Sequence, residues 1–279
     1  MMKGLRRFLK PFFFVAMTAA SCSFASGQRL AVFTPAPSDQ GNAFVERLAE
    51  SLEKKFRMID PGIAQAAFNS VKVDNAFNLT ADSARSIGTV IGCEHFGLVK
   101  AITTRRMSSA KPKYYEAYAA IYLVNSRSGL LELWHLESKQ GETPAEAEKL
   151  LLQEVARIAG VIESKVNQAT NETEPEPQFE MFDPDSKTMR PTMPYRRIKP
   201  EYTPTAFLYE VAATVEAEAS IDEKGVVRGI DIVRWAGFGL DEAVIAAIKQ
   251  MNWRPGERGG KPLPMRVLLR YNFTKVDKE

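Results

Sequence analysis

The stretch NETEPEPQFEMFDPDSKTMRPTMPYRRIKP, residues 171–200, constrains this chain more than any other part of it. It combines Glu172, Glu174, Glu176, Asp183 and Asp185 with repeated prolines and carries no sustained apolar period of either 3.6 or 2 residues. Such a segment has little to bury and no regular ladder to join, so it predicts an exposed, semi-extended linker over 170–199. The apolar patterns on its two sides must then find separate cores. The expected organisation is an α/β domain over 28–169 and a small α+β domain over 200–279, and 279 residues suffice for two such cores. Beyond the acidic run the sign of the charge reverses at Arg196, Arg197 and Lys199, which fits first a solvated linker end and second contact with an acidic partner or phosphate groups.

Residues 1–27 read as an export signal. MMKGLRRFLK supplies a basic start, PFFFVAMTAASC a short apolar core and SFASGQ the small residues of a cleavage site, placing the mature terminus near Ser26 or Gln28. The uncharged run is shorter than the ~20 apolar residues of a membrane-spanning helix. An uncleaved anchor is therefore the weaker reading, and lipid attachment at Cys22 within TAASC is a further alternative. Removal of the signal leaves Cys93 alone, so no intramolecular disulfide is available and the cores must stabilise the fold. Net charge is +3 from 37 basic and 34 acidic residues, with no one-sided field of the kind that binds nucleic acid.

Between Arg29 and Gln168 strand and helix patterns alternate. RLAVFTP is followed by a helix with Val45, Leu48, Leu52 and Phe56 on one stripe; RMID leads into Asp60 and Pro61 as cap and first helical residue; and Thr80 caps a helix that delivers Cys93 into the strand EHFGLVKAIT. Two strand-like runs then flank NSRSG, where Gly129 suits a hairpin turn. A single long amphipathic helix, capped by Thr143 and striped by Leu151, Val155, Ile158 and Ile162, closes the domain. This order, with RLAVFTP, IGCEHFGLVKAI and AIYLVNSRSGLLELW, resembles the α/β domain of curli-secretion lipoproteins, the TolB amino-terminal domain and the outer-membrane activators of peptidoglycan synthases. The resemblance implies a periplasmic binding module.

In the carboxy-terminal part, EVAATVEAEASI and GVVRGIDIVRWAG alternate as two strands around DEKG. A helix follows, with Leu240, Val244, Ala247, Ile248 and Met251 on one face and Asp241 and Glu242 in its first turn. Gly259 and Gly260 then reverse the chain into a last strand, MRVLLRYNF. IDEKGVV, GLDEAVIAAIKQMNW, RPGERGGKPLPMRV and the closing YNF closely resemble the TonB carboxy-terminal domain family over about residues 200–273. Trp235–Ala236 stands where that family usually has small serines, and Ala212–Ala213 where a glycine often precedes the first strand. The resemblance implies an antiparallel sheet plus helix whose edge pairs with an extended peptide from an envelope protein or outer-membrane transporter, through the strand of Met265, Val267, Leu269, Tyr271 and Phe273.

Catalytic patterns are scarce. CEH at Cys93–His95 offers two metal donors and His135 a third, short of the usual zinc set. PGERGGKP has Pro255 and Pro262 where a phosphate-binding loop needs Gly and Ser or Thr. Asn78, Asn171 and Asn272 lie in glycosylation sequons that matter only in a glycosylating host. The function expected is therefore a non-enzymatic periplasmic adaptor without cofactor. A TonB-type energy transducer is the alternative, set back by the doubtful anchor and short acidic linker, and an envelope enzyme is third.

Overall fold

The computed structural model describes residues 27–109, 112–169, 179–183 and 185–275. The signal and Cys22 expectations concern residues outside that range. In chain order the first module holds β1 (Arg29–Phe33), α1 (Asp39–Leu52), β2 (Arg57–Ile59), α2 (Pro61–Asn69), α3 (Ala81–Ile91), β3 (His95–Arg106), β4 (Tyr114–Asn125), β5 (Leu131–Gly141), α4 (Pro144–Gln153) and α5 (Val155–Ala169). The helices start where the sequence supplies caps. Ser38, Asp60, Thr80 and Thr143 each accept a backbone N–H of the following turn, satisfying one donor that the helix cannot. The strands form one mixed sheet in the order β2-β1-β3-β4-β5, parallel among the first three and antiparallel from β3 to β5.

The long closing helix expected from the sequence is two helices. At Glu154 the backbone N–H turns to the carbonyls of Leu151 and Leu152, tightening one turn, while the carboxylate is held by Lys139 and Arg157. The apolar stripe runs on through the break, from Ala147 and Leu151 to Val155, Ile158, Ile162 and Val166. Together with α1 these helices cover one face of the sheet.

The second module comprises β6 (Glu180–Met181), β7 (Met189–Arg190), β8 (Met193–Pro194), α6 (Pro204–Leu208), β9 (Ala213–Ile221), β10 (Val227–Arg234), α7 (Leu240–Lys249), β11 (Trp253–Arg254), β12 (Gly256–Arg258), β13 (Lys261–Leu263) and β14 (Met265–Phe273). Its main sheet runs β10-β9-β14-β6, antiparallel except for the short β6. Helix α7 packs Val244, Ala247 and Ile248 onto the face carrying Val215, Ala217, Ala219 and Leu269. The whole is an α+β protein.

Two features depart from the picture of a plain linker between separate cores. In the described part of 170–199, β6 pairs with β14, β7 with β12 and β8 with β11, and the Thr192 hydroxyl bonds the Arg254 carbonyl at 2.8 Å. Prolines do not prevent this, because β6, β7 and β8 are each only two residues long and tolerate missing donors.

The second departure is the contact between the modules. Strand β4 is buried along nearly its whole length: Ala117, Ala119, Ile121 and Leu123 face α1, α4 and α5, while Ala120, Tyr122 and Val124 face the other way. That second face is covered partly by α2 and α3 and partly by the carboxy-terminal module. Trp235 is fully buried with its ring 5.4 Å from that of Tyr122, and Trp134 lies 5.0 Å from Phe238. Asn78, buried at the seam, donates to the carbonyls of Thr214 and Trp235 at 2.8 and 2.7 Å and accepts from the Thr214 N–H at 3.1 Å. A buried amide with these bonds satisfied costs little, and it ties the two sheets in one register.

Candidate functional site

Strand β14 is paired with β9 over its full length but with β6 only at Met265 and Arg266. Among the described residues no strand occupies the outer side of residues 267–273. Which backbone groups face that open side follows from two bonds. The Glu180 N–H bonds the Pro264 carbonyl, so Pro264 faces β6, and residues two apart along an unbroken strand face the same way. Thr214, opposite Asn272, gives both its N–H and its carbonyl to Asn78, away from β14, which marks a pair without cross-strand hydrogen bonds. Both observations assign the N–H and C=O groups of Leu268, Arg270 and Asn272 to the open edge.

A groove of about 650 Å³ runs along this edge, bordered by Lys199, Tyr202, Pro204, Phe207 and the run from Arg270 to Thr274. Consecutive residues of a strand border one groove only where it follows the backbone edge, because side chains of successive residues point to opposite faces. Tyr202 shapes the floor. Its hydroxyl donates to the carbonyls of Ala206 and Val211, and its ring stacks 6.4 Å from Phe273. Phe207, projecting from α6, is half exposed and is capped by the Lys275 ammonium 5.3 Å above its ring. The Tyr271 hydroxyl is sheltered and has no hydrogen-bond partner among the described residues.

Of the residues singled out in the sequence, Met265, Leu269 and Phe273 are buried, and Val267 and Tyr271 are partly buried against the same core. Their side chains pack inward and their backbone groups turn to β9. The strand is where the pattern places it, but the groups on offer at the edge belong to Leu268, Arg270 and Asn272. Alternation sorts side chains and is silent on which backbone groups a neighbouring strand has already used. Gly259 and Gly260 adopt φ of +57° and +80° in the turn between β12 and β13, a conformation that a side chain disfavours.

The chemistry-bearing groups elsewhere are engaged in structure. His95 and Glu132 form a buried pair at 3.1 Å, and Asn125 donates to the same carboxylate at 2.9 Å. Burial acts to raise the Glu132 pKa, but the bonds from His95 and Asn125 outweigh it and hold the carboxyl below its ordinary value. Burial pushes the Cys93 thiol up to about 11, so it is not a ready nucleophile. Among the described residues no three His, Cys, Asp or Glu side chains cluster as a metal site, and no helix is long and apolar enough to cross a membrane.

Comparison with known proteins now bears on the open edge. Residues 198–274 match the family model for the Gram-negative bacterial TonB protein C-terminal. The match covers the groove and β14, and leaves the first module outside it. No curated protein sequence matches the chain. Among solved structures, the TonB carboxy-terminal domain of Pseudomonas aeruginosa is similar at 18% identity, covering 34% of this chain and 94% of that one, with a TM-score of 0.27. A lipoprotein of Neisseria meningitidis is similar at 15% identity, covering 52% of this chain and 99% of that one, with a TM-score of 0.32. A hypothetical protein of Chlamydia trachomatis is similar at 15% identity, covering 48% of this chain and 96% of that one, also with a TM-score of 0.32.

Proposed function

We propose that this protein is a non-enzymatic adaptor of the bacterial cell envelope whose TonB-like module takes up an extended segment of a partner protein by strand addition to β14. The observation that carries this reading is the open edge of β14 beside an apolar groove, within the part of the chain that matches the TonB carboxy-terminal family. Unpaired backbone groups at Leu268, Arg270 and Asn272 supply a ladder for about five residues of partner, and alternate partner side chains reach the groove. The first module has its own terminal strand, β5, but that strand lies outside the TonB family match. The role of the first module in this reading is to hold the second through the Trp235 and Asn78 seam and to place it within the envelope.

Leu268 offers a clean test, because its side chain is exposed and its N–H faces the edge. Arrays of nine-residue peptides are screened against the wild-type chain, Leu268→Ala and Leu268→Pro. The proline variant removes one edge donor without touching the bonds to β9, so it should keep its thermal melt and lose the peptides that wild type and Leu268→Ala retain. Retention of the same peptides at the same affinity by a folded Leu268→Pro variant contradicts strand addition.

A further inference from the structure

We infer that the segment taken up by the β14 edge is acidic, read by a cluster of three uncommitted cations, Arg196, Arg197 and Lys199. This rests on the strand-addition reading and adds the chemistry of the partner to it.

The cations stand in four consecutive residues and all are exposed. Lys199 borders the groove along β14 and also a second hollow of about 520 Å³ bordered by Arg196, Arg197 and Asn252. Among the described residues none of the three makes an ion pair or a side-chain hydrogen bond. Lys187, Lys224, Lys249, Arg254 and Lys261 of this module also make no ion pair among the described residues, but these three stand together at the groove. Arg190, Arg228, Arg234, Arg258, Arg266 and Arg270 each reach a carboxylate, of Glu257, Asp222, Glu216, Glu180, Glu218 and Glu216 respectively. Three unpaired cations within four residues beside the open edge, followed by the one carboxylate of Glu201, give that place a local excess of positive charge.

The Tyr271 side chain packs inward at the same place, with its hydroxyl enclosed. Its sheltered hydroxyl is unpartnered, and Arg197 is near enough to act on it, pulling its pKa down against the larger upward effect of burial. A carboxylate projecting from an added strand near Asn272 would meet Lys199 and Arg197 as counter-charges. Tyr202, Phe207 and Phe273 provide apolar surface for its neighbours. A bare phosphate or a lipid headgroup satisfies the cations but leaves the edge and that apolar surface unused.

The test uses three nine-residue peptides of alternating Val and Thr that differ only in two terminal residues, Glu, Gln or Lys, titrated by fluorescence anisotropy against the full chain. The Glu peptide should bind about tenfold more tightly than the Gln peptide at low salt, since each exposed pair contributes up to about threefold, and the Lys peptide should bind most weakly. The gap should close in about 0.5 M salt. The triple variant Arg196→Gln, Arg197→Gln, Lys199→Gln should abolish the advantage of Glu while leaving the Gln peptide unchanged. Equal binding of Glu and Gln peptides, still lost in Leu268→Pro, overturns the acidic preference and leaves the edge intact. Failure of all three peptides to bind removes both. Binding of the wild-type chain, but not the triple variant, to phosphatidylglycerol vesicles, with no ordering among the peptides, assigns the cations to a membrane surface and overturns the inference.

Discussion

Replacing Asn78 with alanine should loosen the protein at its seam far more than a loop asparagine normally allows. Its side chain is almost completely buried and donates twice, to the carbonyls of Thr214 and Trp235, while its oxygen accepts from the Thr214 N–H and, at 3.3 Å, from Arg234. Alanine leaves one backbone N–H and two carbonyls without partners. At roughly 1 to 3 kcal/mol for each buried orphan, and with partial rehydration of the carbonyls, the loss should be about 3 to 5 kcal/mol. Asn78→Asp keeps the volume but turns a carboxylate towards two carbonyls, so it should be at least as damaging. Urea denaturation followed by tryptophan fluorescence and far-ultraviolet circular dichroism measures the loss, because Trp134 and Trp235 lie at the seam. A stability within about 0.5 kcal/mol of wild type for both variants would show that the seam does not hold the modules as described.

Other consequences are equally direct. Asp241 is buried and accepts the N–H groups of Ala236 and Gly237; burial raises its pKa to about 7, against the lowering effect of those two bonds. The folded form therefore keeps a proton that the unfolded chain, at its ordinary value of 3.8, has lost. This contribution is complete below the unfolded value and declines as pH rises towards 7, by roughly 4 kcal/mol at most; thermal melts between pH 5 and 8 should show that decline in wild type and a flatter profile in Asp241→Asn. A methyl group at Gly237, where φ is +72°, would lie 2.3 Å from the Trp134 ring, so Gly237→Ala should lower the melting temperature by several degrees, and an unchanged melt would contradict the packing at the seam. In limited trypsin digestion, Lys187 and Arg190 should resist cutting because β7 is paired to β12 and the Thr188 carbonyl is bonded by Gly259. Rapid cleavage at both would contradict that pairing.

Local devices were readable from the sequence and the assembly of the modules was not. Ser, Asp and Thr caps, the Gly129 turn and the stripe of α1 are governed by residues within a few positions of one another, and the chain writes them out directly. The docking of the modules depends on groups more than a hundred residues apart. Its signal was present but ambiguous. AYAAIYLV in β4 is apolar at consecutive positions, the mark of a strand buried on both faces, but the hairpin it belongs to does not say what covers the second face. Trp235–Ala236, noticed only as a departure from a family pattern, is the surface on which Tyr122 packs and to which its hydroxyl donates. Strands β6, β7 and β8 leave no mark in the sequence because two-residue strands have no period.

Amide hydrogen exchange on the full chain, with and without the tightest peptide from the array, tests strand addition most directly. The account predicts that the amides of Leu268, Arg270 and Asn272 gain protection on binding, while those of Leu269 and Tyr271, already bonded to β9, change little. Protection that appears elsewhere, with these three amides still exchanging at their free rate, would contradict it.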